Sequence, residues 1–446
     1  MKKAARSLAL AAFFALGQAA LAPGQGPEEG ALPFSFQHYR LRNGLRVVLS
    51  ENDRLPLVTV AVAYRAGTLY EKPGQEGLAF LLENLMFQGS ENVGPFQHIG
   101  FVQKVGGELN ATTTHDRSLF YETIPSNQLA LALWLESDRM RALDVSAGAI
   151  ENTRSGLIEE HAARLASDPY LPSFARFDAL LYPDPLYGHP LIGSGAGLRE
   201  LAGADVRAFH RTYYVPNNAV LCIVGRIDIA RTRELVARYF DTIPPGSDIP
   251  SPPRPVFTRE SDAVERSVEV PVPGAGFHMG FRFFPLQEGE AHALRMLEYV
   301  LFEGRTSRLR NRILRKDMTA RYLTGALEER LSIAALKIFC LSSNAASSER
   351  SRRIILSEID KLRANEISQD EITRARRRFK MDHLERLSTN LGKALYFVDA
   401  ELAGKGLDSL GRELESHLRV TPAALQAVVS KYFTPQNRVV LELRPQ

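Results

Sequence analysis

The sequence has few of the features that would place it in a specialised structural class. Its 446 residues include only two cysteines, too few for a disulfide-stabilised scaffold. Lys and Arg exceed Asp and Glu by only four, and no basic patch interleaved with aromatic residues indicates nucleic-acid binding. Beyond the N-terminal segment, no run of about eighteen apolar residues predicts a membrane span. The composition that remains, 45% hydrophobic and 24% charged residues, is typical of a globular protein.

The first residues have the pattern of a targeting segment. Lys2, Lys3 and Arg6 precede an apolar run from residue 8 to 16, and small residues follow it. This order predicts a signal peptide over residues 1–22, with the cleavage point left open because Pro23 would obstruct cutting after Ala22. We therefore expect an exported protein, located in a bacterial periplasm.

The two cysteines lie in apolar, strand-like runs in different halves of the chain. Cys222 falls within residues 220–224 and Cys340 within residues 336–341. An oxidising compartment would permit a bridge between them. Their separate apolar contexts favour two buried free thiols instead.

An internal repeat divides the chain. Residues 82–89 align with residues 297–304 at an offset of 215, and residues 214–218 align with 433–437 at an offset of 219. Two matches at nearly one offset indicate a duplicated α/β unit of domain size, and 446 residues are too many for one hydrophobic core.

The clearest linker between the repeated units is rich in proline. It covers residues 244–255, and it suits neither a helix nor a strand. The sequence therefore predicts an N-terminal domain over residues 35–243 and a C-terminal domain over residues 256–446.

The stretch from Gly77 to Gly89 has the pattern of a helix with one buried face and carries the candidate chemistry. Positions 80 and 84 share one side of such a helix, with Glu83 next to them. In the zinc motif H-x-x-E-H, two imidazoles at these positions hold the metal and the Glu is the general base. Here Phe80 has no lone pair to donate, and the amide of Asn84 is a poor zinc ligand.

The surroundings of this helix resemble those of the insulinase and pitrilysin family, which includes the mitochondrial processing peptidases and bacterial periplasmic relatives. The resemblance implies an α+β fold of two homologous domains, each a mostly antiparallel sheet with packed helices, which together form half of a peptidase chamber. It rests on several further segments in family order, at residues 64–71, 106–112, 168–170, 213–218 and 224–225.

The resemblance also implies a third zinc ligand, a Glu on a later helix. Glu160, 76 residues after Asn84, matches it. Of the zinc site, the base Glu83 and this ligand remain, and we expect both to be vestigial or structural.

Three histidines are the candidates for a rebuilt metal site. His161 adjoins Glu160, so on a helix it points about 100° away. His98 and His115 lie in loop or strand context without metal spacing. We therefore expect no metal site and no cofactor in this chain.

The segment from Gly106 to Thr114 is the candidate peptide-binding strand. In the family, the corresponding strand is an edge that pairs with an extended substrate, and main-chain hydrogen bonds make such binding tolerant of sequence. The alternative is an ordinary hairpin in which glycines only turn the chain. The candidate substrate-binding residues are Gly107, Asn110, Ala111 and Thr112.

A second family feature is an Arg and a Tyr seven residues apart, after a Ser-Arg-Leu segment. Arg315 and Tyr322 reproduce this separation after residues 307–309. Such a pair can stabilise the charge that develops on a carbonyl oxygen during amide attack. Arg321 departs from the small residue usual before the Tyr. The alternative is that Arg315 belongs to a solvated basic helix with its neighbours Arg308, Arg310, Arg312 and Lys316.

These observations together predict a noncatalytic, zinc-lacking subunit that binds peptides and complements a zinc-bearing partner subunit of the same family. Zinc would then be held only by the partner. Two alternatives stay open: a self-sufficient zinc metalloendopeptidase with replacement ligands, and a stand-alone peptide-binding or scaffold protein.

Overall fold

The computed structural model describes residues 34–182, 184–252, 264–272, 274–331, 333–364, 366–404, 406–407 and 410–445. The predicted signal peptide (residues 1–22), the end of the predicted linker and the start of the predicted C-terminal domain lie outside these residues. The predicted domain boundaries therefore stay predictions.

The N-terminal half forms a six-stranded mixed sheet in the order β1-β2-β6-β3-β5-β4. Among the described strand pairs of this sheet, β2 and β6 are parallel and the others are antiparallel. The strands are β1 (Gln37–Arg40), β2 (Arg46–Glu51), β3 (Leu57–Tyr64), β4 (Glu108–Thr113), β5 (Ser118–Pro125) and β6 (Ala219–Gly225). The helices are α1 (Leu78–Leu85), α2 (Gln97–Lys104), α3 (Leu129–Ala142), α4 (Ala147–Ser167), α5 (Leu171–Leu181), α6 (Pro185–Gly188), α7 (Gly195–Glu200), α8 (Gly203–Tyr213) and α9 (Ile229–Phe240).

The C-terminal half forms a five-stranded sheet in the order β7-β11-β8-β10-β9. Its strands are β7 (Val264–Val270), β8 (Ala275–Phe283), β9 (Tyr322–Arg330), β10 (Ile333–Ser342) and β11 (Arg438–Pro445). Its helices are α10 (Glu288–Leu301), the short α11 (Arg308–Arg310) continued by a π-helix (Asn311–Lys316), α12 (Ala345–Arg363), α13 (Gln369–Arg386), α14 (Asn390–Ala403), α15 (Leu410–Leu418) and α16 (Pro422–Tyr432).

The two sheets have the same topology once β1 is set aside. Strands β2, β6, β3, β5 and β4 correspond in order to β7, β11, β8, β10 and β9. The turn that precedes β6 is repeated before β11. Asn218 and Asn437 each donate a side-chain N–H to the backbone carbonyl oxygen five residues earlier. The predicted α+β fold of two homologous, mostly antiparallel units is confirmed.

A helix from each half packs on the sheet of the other half. Helix α5 packs on β8 and β11 of the C-terminal sheet, and α14 packs on β3 and β6 of the N-terminal sheet. The apolar residues of α14 join those of β6 in one buried cluster, which includes Phe397 and Cys222. The prediction that Cys222 and Cys340 are buried free thiols is confirmed.

Two local predictions need correction. Helix α1 ends at Leu85, before the end of the stretch with a helical pattern, and Gly89 lies in the turn that follows, with φ of 137°. His98 lies in the first turn of helix α2 and not in the loop or strand that its sequence context predicts. Helix α13 begins with a capping box formed by Ser368 and Glu371.

No helix in the described part of the chain is both long and apolar enough to cross a membrane.

Candidate functional site

A buried carboxylate fixes the start of α1. Glu71 accepts hydrogen bonds from the backbone N–H groups of Gly77 (3.1 Å) and Ala79 (2.7 Å), which have no partner within the helix. Gly77 has φ of 96°, and a Cβ there would lie 2.5 Å from the carbonyl oxygen of Ile192. Burial raises the pKa of Glu71, and the two N–H groups oppose that rise. The retained Glu71 and Gly77 therefore position the helix.

Neither residue at the zinc-ligand positions of α1 offers a good zinc ligand. Phe80 is half-buried and packs against the N-terminal core. Asn84 donates its side-chain N–H to the carbonyl oxygen of Phe80 at 2.9 Å, one turn earlier. This bond directs the amide back onto its own helix.

The two retained carboxylates are near enough to influence each other electrostatically. Burial raises the pKa of Glu83, and the nearby Glu160 on α4 raises it further. The side-chain hydroxyl and backbone N–H of Thr113 act in the opposite direction. Glu160 itself is exposed and forms an ion pair with Arg164.

This set of residues does not fit a zinc ion. A catalytic zinc needs three protein ligands. Here Phe80 offers no donor atom, and Asn84, whose side-chain N–H bonds to the helix backbone, offers only an amide oxygen, a poor zinc ligand. Glu160 is the only ligand of the motif that remains, and it already has a cationic partner.

The candidate replacement histidines lie elsewhere. His98 bonds through Nε2 to Glu122 at 2.9 Å, and His115 bonds through Nδ1 to the hydroxyl of Thr68 at 2.7 Å. Burial lowers the pKa of both histidines to about 3. His161 is half-buried on α4. None of the three joins Glu83 or Glu160 in a group of metal-ligand atoms within the described part of the chain.

One buried cluster does bring three potential ligands together. His98, Glu122 and Glu136 place ligand atoms within 4.8 Å of one another, which no other such group does among the described residues. The guanidinium of Arg139 already pairs with Glu136 and lies 4.6 Å from the ring centre of Phe120. Burial raises the pKa of Glu122 to about 8, so this carboxyl is largely protonated at neutral pH. The cluster thus carries its own cation and has little free negative charge for a metal.

Strand β4 is an edge of its sheet. The Thr114 N–H donates to the Arg117 carbonyl at 2.8 Å, so the hydrogen-bonded pairs with β5 fall at even-numbered residues of β4. The backbone groups of Leu109, Ala111 and Thr113 therefore point outward, away from β5. Asn110 and Thr112 are exposed.

The outward N–H of Ala111 is covered by a neighbouring side chain. Asn110 accepts this N–H through Oδ1 at 2.8 Å. An added peptide strand would compete with a weak local contact there, because a neutral hydrogen bond at an exposed edge contributes little.

The glycines before β4 have a structural role. Gly106 has φ of 80°, and a Cβ on Gly107 would lie 2.5 Å from Cγ2 of Ile124 on β5. Both substitutions would disturb the start of the strand. This observation supports the turn interpretation of these glycines and leaves β4 available as an edge.

Arg315 and Tyr322 lie on adjacent elements of the C-terminal half. Arg315 is exposed in the π-helix, which packs against β9, and Tyr322 is the first residue of β9 with 48% of its surface exposed. Single π-turns occur frequently at functional sites. The ring of Tyr322 contacts Phe339 at 5.9 Å, and Phe339 contacts Tyr170 at 5.8 Å. Tyr170 follows the end of α4, so these rings connect Tyr322 to the C-terminal end of that helix.

The alternative interpretation of Arg315, a solvated basic helix, is wrong for one of its neighbours. Arg308 is nearly buried and pairs with Glu371 at 2.7 Å and Glu358 at 3.7 Å. Arg312 pairs with Asp317. Arg312 is nonetheless exposed, as is Arg315 on the surface next to β9.

Sequence reasoning missed Thr113 as a site residue. It is the last residue of β4 and buried, whereas Thr112 before it is exposed. The alternation of a strand would have shown this burial, but no pattern indicates that residue 113 faces Glu83.

The fold and this degenerate metal motif define a class, the zinc-peptidase fold built from paired homologous domains. Two family profiles match the chain: Insulinase (Peptidase family M16) over residues 46–176, and Peptidase M16 inactive domain over residues 201–379. The chain belongs to the insulinase family, M16.

Known relatives agree over most of the chain. It is 24% identical over 412 residues to the zinc protease PqqE of Helicobacter pylori, which covers 91% of this chain and 92% of PqqE. The crystal structure of a protease from Helicobacter pylori has a TM-score of 0.86 at 23% identity, covering 92% of this chain and 100% of that one. The periplasmic protease PqqL from Escherichia coli has a TM-score of 0.74 at 17% identity, covering 93% of this chain and 48% of that one. Both structural likenesses show the fold alone.

Proposed function

We propose that this chain is a noncatalytic subunit of the insulinase family that binds peptides and complements a zinc-bearing partner subunit. One observation carries the proposal. Helix α1 keeps its Glu71 cap and the base Glu83, with Glu160 near enough to raise the Glu83 pKa, but Phe80 and Asn84 leave the motif without two of its three zinc ligands.

Peptide binding is proposed at the edge strand β4. The outward backbone groups of Leu109 and Ala111 belong to an edge strand, and the covering contact from Asn110 is local. An extended peptide could add to this edge as a further strand, with affinity that depends little on its sequence.

The proposed contribution to a partner comes from Arg315 and Tyr322. Both side chains are exposed and lie on neighbouring elements. A guanidinium and a phenol at the partner's zinc site would donate hydrogen bonds to the carbonyl oxygen as it gains charge. The partner proposed is a related chain with an intact H-x-x-E-H motif, because only such a chain supplies the missing ligands.

We place this activity in the periplasm. The N-terminal pattern of the sequence supports export, and a relative of the same fold, PqqL, is described as periplasmic.

The central experiment is reconstitution. The chain is purified alone and together with an H-x-x-E-H relative encoded in the same genome, and zinc content, complex formation and cleavage of a fluorogenic peptide are measured. We expect no stoichiometric zinc and no cleavage by the chain alone, and cleavage by the pair that exceeds that of the partner alone. A pair that forms no complex and gains no activity would contradict the proposal.

The same measurements separate the two alternatives. One zinc per purified chain, lost in Glu160→Ala, together with cleavage by the chain alone, would establish a self-sufficient metallopeptidase with replacement ligands. Peptide binding without any effect on a zinc-bearing relative would establish a stand-alone binding or scaffold protein.

A further inference from the structure

The internal repeat gives Glu83 a counterpart in the C-terminal half. Residues 82–89 align with residues 297–304, and this alignment places Glu298 of α10 at the position of Glu83. Glu298 belongs to no zinc motif, so its contacts show what a Glu at this position does without a metal.

Glu298 holds the edge strand of its own sheet. Its Oε1 accepts the outward backbone N–H of Leu327 on β9 at 3.0 Å. Its Oε2 pairs with Arg295 at 2.7 Å, and Arg295 in turn lies 3.4 Å from the Leu327 carbonyl oxygen. Side chains of α10 therefore form hydrogen bonds with both outward backbone groups of Leu327.

The strand registers give Leu327 its own counterpart in the N-terminal half. Matching Asn218 with Asn437 aligns β6 with β11, and the pairing registers then carry the match across each sheet. In the N-terminal sheet the register leads from β3 to Ser118 of β5, and in the C-terminal sheet it leads from β8 to Leu336 of β10. Ser118 therefore corresponds to Leu336. Ser118 pairs with Thr113, and Leu336 pairs with Leu327. Thr113 is thus the counterpart of Leu327.

The same elements meet in the N-terminal half. The backbone N–H of Thr113 points outward from β4, and α1, which carries Glu83, packs against this strand. The Oε2 atom of Glu83 is buried and has no hydrogen-bond partner among the described residues, and the Thr113 N–H and hydroxyl oppose the rise in the pKa of this carboxyl.

We propose that Glu83 is a positioning residue that anchors the end of β4 by accepting the Thr113 N–H, as Glu298 anchors β9. This shared structural role explains why the motif has an acidic residue at position 83 although it lacks its metal ligands. It also keeps the outward groups of Leu109 and Ala111 in the register that an added strand needs. This last point rests on the proposed peptide-binding function.

The test is residue-resolved amide hydrogen exchange of the full chain, with Glu298 as the internal reference. Glu83→Ala removes the acceptor, so the Thr113 amide should exchange roughly tenfold faster or more, as expected for the loss of a hydrogen bond to a charged group. Glu298→Ala should do the same at Leu327 and leave Thr113 unchanged. Glu83→Gln keeps an acceptor oxygen and should change exchange at Thr113 by less than about threefold.

Two further measurements keep the result decisive. Should Glu83→Ala fail to fold, Glu83→Asp retains the charge but withdraws the acceptor by one methylene, and it should also speed exchange at Thr113. Titration with an unstructured 15-residue peptide should show weaker binding to Glu83→Ala than to Glu83→Gln.

The outcomes distinguish this inference from the proposed function. Unchanged Thr113 exchange in both Glu83→Ala and Glu83→Asp overturns the anchoring role. So does a peptidase activity of the purified chain that Glu83→Gln abolishes, because the residue would then be a base. A wild-type chain that binds no peptide overturns the proposed function and leaves the exchange result standing.

Discussion

At the scale of single residues, the site shows which substitutions removed the metal chemistry and which residues kept their structural role. The sequence predicted that Phe80 and Asn84 share a helix face with Glu83 beside them, and α1 places them so. It did not predict that Asn84 bonds to the backbone of Phe80, because side-chain direction depends on packing and not on spacing. It also gave no indication of Thr113, which reaches Glu83 only through the pairing of β4 with β5.

Restoring both histidines tests whether the rest of the zinc site is intact. The variant Phe80→His with Asn84→His places two imidazoles on the face of α1 that lies near Glu160. We expect one zinc per chain by elemental analysis, because three protein ligands are then available. Adding Glu160→Gln should abolish that zinc. Each single histidine variant is the matched control and should bind none tightly; failure of the double variant to bind zinc would mean that Glu160 cannot reach the site.

The assignment of Arg315 and Tyr322 predicts a loss of turnover in the reconstituted pair. Tyr322→Phe should lower kcat at least tenfold with complex formation and zinc content unchanged, because removal of one oxyanion donor in other enzymes costs roughly 2.7 to 4 kcal/mol. Arg315→Lys should also lower kcat, since an ammonium cannot reproduce a planar two-pronged donor.

The matched control for this pair is Arg310→Lys, in the helix just before the π-helix. It should leave turnover unchanged. Full activity in both Tyr322→Phe and Arg315→Lys would show that the seven-residue spacing arose by chance.

At the scale of secondary-structure elements, two equivalent arginines join the halves. Arg282 on β8 donates to the carbonyl oxygens of Leu181 (2.8 Å) and Leu180 (2.9 Å) at the end of α5. Arg65, at the end of β3, donates to the Leu402 carbonyl oxygen at 2.7 and 3.1 Å, near the end of α14. Carbonyls in the last turn of a helix lack partners within it, and a cation there is favourable. Each sheet thus holds the helix that crosses from the other half.

Replacing these arginines should destabilise the protein by similar amounts. Arg65→Met and Arg282→Met each leave helix-end carbonyls without a charged donor, which costs about 1.5 to 3 kcal/mol per variant. The two sites share no contact in the described structure, so the losses should add in the double variant. Urea unfolding measures them, with the exposed Arg266→Met on β7 as the control. A loss below about 0.5 kcal/mol in both variants would show that water replaces the guanidinium at little cost.

The sequence predicted the kinds of secondary structure better than it predicted which helices pack on which sheet. The repeat correctly predicted two homologous units. The crossing of α5 and α14 was not predicted, because apolar periodicity identifies a buried face but not the sheet that covers it. Helices α13 and α14 are separated by a tight turn, and Thr389 caps α14. This turn requires glycine at residue 392, because a Cβ there would overlap the carbonyl oxygen of Arg386.

At the scale of the whole molecule, the contact between the halves contains a buried histidine. His278 on β8 bonds through Nε2 to the hydroxyl of Ser173 at 2.8 Å, in the first turn of α5. Its ring stacks between Phe177 of α5 at 5.0 Å and Phe339 of β10 at 4.6 Å. Burial lowers the pKa of His278 to about 3, and the nearby Lys337 lowers it further. The junction therefore depends on a neutral imidazole.

This histidine makes the attachment of the two halves sensitive to acid. The unfolded chain protonates His278 near pH 6.5, whereas the folded chain does not until about pH 3. The unfolded state thus binds more protons between these values, and stability present above pH 6.5 falls as the pH drops toward 3. In His278→Phe an aromatic ring still lies between Phe177 and Phe339, but the unfolded state no longer binds the extra proton at this residue. The free energy of unfolding, measured with urea from pH 7.5 to 4.5, should then depend less on pH than in the wild type, by up to about 1.4 kcal/mol per pH unit. Equal slopes in the two proteins would show that His278 is already protonated in the folded junction.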